Sequence, residues 1–152
     1  MAAVLEGRLP LVQEALLRAA GVVVDVRIER EFLVPGEEAE GVVELWNGGP
    51  FPLREVFGRL AGPGGWGVEE IEGGSPQGGE VPPGGVARWR FRVGVPGSAE
   101  PSRPYFLREP KDGEMYRWPA DPSSWGEAVE PALLGGVVTL EVAGLGRARL
   151  AR

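Results

Sequence analysis

The sequence contains no cysteine and no histidine. Without cysteine there is neither a disulfide nor a thiolate metal site. Without histidine the commonest general base, the commonest zinc ligand and every histidine-based triad are excluded. Lysine occurs once, at Lys111, and asparagine once, at Asn47, while Gln13 and Gln77 are the only glutamines. This scarcity of amides fits a thermophile-like composition or a GC-rich genome. Sixteen basic residues face 22 acidic ones, a net charge of −6. A surface of that sign repels phosphate backbones, so nucleic acid is not an expected partner. No run approaches the roughly 20 apolar residues of a membrane span, so membrane insertion is not expected. The opening segment MAAVLEGRLPLVQEALLRAA lacks the basic and apolar regions of a signal peptide, which leaves a cytoplasmic location as the default expectation.

Glycine and proline, by contrast, are plentiful, with 25 and 15 residues. They fall between apolar runs, and 43% of the chain is hydrophobic, so they read as turns of a folded all-β domain rather than as disorder. A length of 152 residues suits one domain with a real core. The reading divides it into a helix with its linker at 1–21 and a sandwich at 22–152.

Leu9 to Ala20 predicts a helix, with Pro10 in its first turn and Gly21 at its stop. Its apolar arc is wide. Leu9, Val12, Leu16 and Ala19 are expected against the chain's own sheet. Leu11, Ala15 and Leu17 are expected on the flanks, as candidates for contact with another domain or a weakly associating second copy.

Beyond Gly21 the period becomes two. Val22, Val24, Val26 and Ile28 share a face, and Phe32 and Val34 continue that parity past a break at Arg30. Further strands are expected at 41–46, 53–60 and 66–71, then a turn-rich stretch at 73–85. VARWRFRVGV gives the clearest alternation. Ala87, Trp89, Phe91, Val93 and Val95 point one way, and Arg88, Arg90 and Arg92 the other, onto a solvated face balanced by glutamates. Two last strands, near 136–142 and 147–151, complete an immunoglobulin-like β-sandwich with one N-terminal α-helix.

The segment 97–132 is read as an irregular crossover. Within it lies SRPYFLREPKDGEMYRWP. Two readings stand side by side. As a rigid plug, its prolines fix the chain while Tyr and Phe fill the sandwich seam. As a binding loop, Arg103, Tyr105, Arg108, Tyr116 and Trp118 contact a glycan or a protein partner. Asp112 and Glu114 alone are a weak signal for calcium. No serine sits in a nucleophile elbow and no phosphate loop precedes a helix. The glutamates at 37, 38 and 40, and at 69, 70 and 72, read as solvated edges rather than a glycosidase pair. No enzyme activity, metal or cofactor is expected.

The order LVPGEEAEGVVELWNGG, LAGPGGWGVE, VPPGGVARWRFRVGVP resembles immunoglobulin-like accessory domains of the NPCBM-associated type in bacterial sugar-active proteins. The helix before it and the Arg-Pro-Tyr element after it resemble the C-terminal region of long bacterial PIG-L family deacetylases. That family's zinc site needs histidines, which this chain lacks. The resemblance therefore implies a noncatalytic accessory region, supporting a deacetylase catalytic domain or its glycan contact. A general protein-interaction module, binding through a sheet edge or the helix face, is the alternative.

Overall fold

The structure, a computed structural model, describes residues 2–71, 74–102, 104–118, 132–142 and 146–151, apart from the side chains of 2–7, 10 and 105. Among the described residues one α-helix, α1 (Ala2–Ala19), precedes eight strands. They are β1 (Val22–Ile28), β2 (Glu38–Asn47), β3 (Leu53–Ala61), β4 (Gly67–Ile71), β5 (Gly79–Val81), β6 (Val86–Gly94), β7 (Gly135–Val142) and β8 (Gly146–Ala151). They form two antiparallel sheets, ordered β1-β2-β6-β4 and β5-β3-β7-β8. The first has the A-B-E-D order of an immunoglobulin sandwich; the second has its C-F-G order, with β5 added beside β3.

Alternation fills the space between the sheets. Val43, Leu45, Trp89 and Val93 from one sheet meet Leu53, Val56, Val138 and Val142 from the other, all fully buried. Each such side chain contributes about 1.5–3 kcal/mol of burial. Trp89 is the largest, and it lies against Gly58: a Cβ built on Gly58 falls 2.1 Å from the indole. The outward arginines of β6 pair with β2 as expected, Arg88 with Glu44, Arg90 with Glu40 and Arg92 with Glu38.

Asn47 ends β2 inside the core. Its Nδ2 donates to the carbonyls of Phe51 and Val81, and its Oδ1 accepts from the Gly49 N–H. A buried amide with its polar groups so engaged ties the β2–β3 turn to β5.

Three expectations are corrected. The helix begins at Ala2, not near Leu9, so Pro10 lies in its interior and forgoes one backbone hydrogen bond. The strand parity beyond Ile28 ends, because β1 stops there and Phe32 is 76% exposed. The third concerns the helix face. Leu17 is only 1% exposed and belongs to the core, while Leu9, Val12 and Ala19 are exposed. Leu17 lies at the centre of the buried face, with the half-buried Leu16 and Ala20 packed against the core beside it. The reason is tertiary. The helix packs across β8 and β1, one strand from each sheet, and Leu17 enters the gap between them. Leu17 is therefore not available to a partner, whereas Leu11 and Ala15 are exposed.

Candidate functional site

Five residues were singled out in the aromatic segment. Arg103 lies outside the described residues, and Tyr105 opens a short 3-10 turn, Tyr105–Leu107, with its side chain also outside them. Arg108, Tyr116 and Trp118 are exposed, as are all other described side chains between Pro104 and Trp118. The plug reading is thus corrected for Phe106, which does not fill the seam.

The segment packs on itself instead. Asp112 and Met115 exchange backbone hydrogen bonds around Gly113, whose φ of +63° suits glycine. Arg117 pairs with Asp112 at 2.9 Å. Phe106 meets Tyr116 edge-on, with ring centroids 5.6 Å apart and planes at 80°. The Lys111 Nζ lies 4.4 Å from the Tyr116 ring centroid. Phe106 and Tyr116 therefore form no coplanar pair, while Tyr116 and Trp118, the described rings of the expected platform, are both exposed. Among the described residues no cluster of three carboxylates could hold a metal ion.

A different feature emerges at one end of the sandwich. β1 leaves at Ile28, β4 is entered after Trp66, β6 leaves before Val95, and β7 is entered after Leu134. Between them lies a cleft of about 330 Å³, with Phe32, Leu33 and Pro35 on one wall and Pro101 and Leu133 on another. It adjoins, past Trp66 and Leu133, a groove that reaches Pro63, Pro96 and Arg108. Among the described side chains singled out in the aromatic segment, Arg108 is the one that lines it. The turn at 34–37 is pinned in place, since Gly36 N–H donates to the Val95 carbonyl and Val95 N–H to the Glu37 carbonyl. Arg30 pairs with Glu37 at the rim.

Sequence reasoning missed this groove, because its lining comes from segments far apart in the chain. One signal was present. Phe32 and Leu33 sit between a parity break at Arg30 and the Pro35-Gly36 turn, where an apolar pair has no strand to bury it.

The sheet edges differ in availability. Gln77 takes the place of a strand residue beside β3, giving its Nε2 to the Gly58 carbonyl and accepting the Gly58 N–H on its Oε1. Its Nε2 also reaches Glu70 on β4. Glu70 pairs in register with inward-facing Phe91, so it is a charge directed toward the inner side of an edge strand. Both features oppose edge-to-edge pairing.

The fold class is therefore an immunoglobulin-like β-sandwich carrying one helix and a polar-rimmed apolar groove at one end. No family model matches the chain, and no curated protein sequence matches it. Among solved structures it is similar to the GAE domain of GGA2p from Saccharomyces cerevisiae, at 10% identity and a TM-score of 0.48, covering 86% of this chain and 84% of that one. It is also similar to Spo0M, the sporulation control protein from Bacillus subtilis, at 16% identity and a TM-score of 0.41, covering 86% and 47%. A FixG-related protein from Vibrio parahaemolyticus is similar at 11% identity and a TM-score of 0.40, covering 86% and 92%. Likeness at this level carries nothing about binding.

Proposed function

We propose that the chain is a noncatalytic accessory module that binds a protein surface through the end groove. The observation that carries this is the set of apolar side chains left in water there. Phe32 and Leu133 are exposed large hydrophobics beside a concave, mostly apolar wall. A cleft of this size takes one or two protruding side chains, and the proline-lined extension suits an extended stretch beside them.

The finer proposal concerns the partner. The resemblance of the helix, the sandwich turns and the Arg-Pro-Tyr element to the C-terminal region of PIG-L family proteins supports a zinc-dependent deacetylase catalytic domain. In that role the module supports the catalytic domain, and glycan contact would fall to the catalytic domain's side of the assembly. A second reading places the contact on the helix, and the exposed Leu9, Leu11 and Val12 favour it.

The two are separated by one titration. A recombinant PIG-L family catalytic domain is added to the purified chain, and association is followed by calorimetry. Binding lost in Phe32→Asp and Leu133→Asp but kept in Leu11→Asp supports the groove. The opposite pattern moves the interface to the helix. No heat of binding at high concentration, with all chains folded, overturns the deacetylase partner.

A further inference from the structure

The outer face of the β5-β3-β7-β8 sheet carries a second feature, independent of the groove. Many of the described arginines pair with a neighbouring carboxylate. On this face Arg54 pairs with Glu80 and Arg147 with Glu55. Arg59 and Arg149, both exposed, have no ion-pair partner among the described residues. Two guanidinium groups without a described carboxylate partner thus share one face of a chain with net charge −6.

Their surroundings are built. In the sheet register Phe57 lies opposite Thr139, and Thr139 opposite Arg149, so the three form one row across β3, β7 and β8. Arg59 begins the next row on the same face, opposite Val137. Phe57 is 46% exposed, and its ring leans over Gly78, where a Cβ would come within 3.1 Å. A shallow trough of about 650 Å³ runs over this row. Gln13 of α1 lines it on one side, and Arg147 and Arg149 on another. Glu55 also lines the trough; it has a φ of +46° at a bulge in β3, and it holds Arg147 by an ion pair. That neutralises Arg147 and leaves Arg149 as the free cation of the trough.

From these observations we infer that this face docks an acidic, extended protein segment with an apolar residue between its carboxylates. The carboxylates accept from Arg149 and Arg59, the Thr139 hydroxyl is a further donor, and the apolar side chain lies on Phe57. Strand spacing and rise put the Cα atoms of Arg59 and Arg149 roughly 12 Å apart, the span of about four residues of extended chain. Acidic residues at i and i+4 with an apolar residue at i+2 therefore match the face. Charge complementarity selects this occupant. A nucleic acid needs a longer basic track and meets net repulsion from the rest of the molecule. A neutral apolar segment leaves both guanidinium groups unused.

The probe is a fluorescein-labelled peptide repeating Glu-Ser-Leu-Ser, against the same repeat with Gln for Glu. Anisotropy is measured with the full chain at low and at physiological salt. The glutamate peptide should bind roughly tenfold or more tightly than the glutamine peptide, and weaken as salt rises. Arg59→Glu with Arg149→Glu should remove that difference. Both residues are exposed and unpaired, so folding should be untouched; Arg59→Gln with Arg149→Gln gives the same test without added charge. Phe32→Asp in the end groove should leave the peptide affinity unchanged, which keeps this site distinct from the proposed function. Equal binding of the two peptides, undiminished binding by both arginine variants, or no binding of the glutamate peptide at millimolar concentration overturns the inference.

Discussion

Gly58→Ala tests the packing at the centre of the sandwich. The added methyl would lie 2.1 Å from Cε3 and 2.4 Å from Cδ2 of Trp89. Carbon atoms rest at roughly 3.5–4.0 Å, so the ring or the strand must retreat by more than about 1 Å. Neither is free to do so. Trp89 is fully buried. Gly58 is held on one side by the Gln77 amide, at 3.0 and 2.7 Å, and on the other by its place opposite Val138. Overpacking of this kind costs about 1–3 kcal/mol, and the absence of slack puts the expectation at about 3. Trp89→Phe trims the outer edge of the ring and also removes the Nε1–H, which is buried without a hydrogen-bond partner. Relief of that unsatisfied donor offsets part of the lost packing, so Trp89→Phe should cost only about 1–2 kcal/mol. In its background Gly58→Ala should be milder by at least about 1 kcal/mol, a coupling between touching residues. Urea melts of the four chains, with equal m-values, measure the cycle. A Gly58→Ala chain as stable as the parent, or strict additivity, would refute the contact.

Other expectations follow from the same structure. Leu17→Ala should cost about 2–5 kcal/mol in denaturant melts, whereas Leu11→Glu should shift stability by no more than about 0.5; equal effects would mean that the helix face has been assigned wrongly. Asn47→Ala strands the Phe51 and Val81 carbonyls and the Gly49 N–H, at about 2–4 kcal/mol. Asn47→Asp sets a carboxylate against those two carbonyls, raising its folded-state pKa above the unfolded value of about 3.9. Its deficit against the parent should thus be full at neutral pH and shrink as the pH falls through the raised folded value toward about 3.9; melts showing a deficit that grows on acidification would contradict this. If binding belongs to the end groove, chitin-type oligosaccharides at millimolar concentration should leave tryptophan fluorescence unchanged; a saturable change lost in Trp118→Ala would restore the glycan-loop reading.

The sequence alone determined the elements whose pattern is local. In β6 the side chains alternate so strictly that Trp89, Phe91 and Val93 on the inside and three arginines on the outside follow from the pleat. The turn glycines and prolines marked where strands end, and the helix was legible from its apolar period. The burial of Asn47 was not legible, though its turn was, because its partners Phe51 and Val81 come from other segments. The helix shows the limit best. Its arc was wide enough for two choices of buried line, and only the gap between β8 and β1 decided that Leu17 is fully buried, with Leu16 half-buried beside it. The end groove, the Gln77 amide beside β3 and the row Phe57–Thr139–Arg149 likewise join residues distant in the chain. Such surfaces depend on sheet register and on how two sheets stack, and those are fixed by long-range packing rather than by any local period.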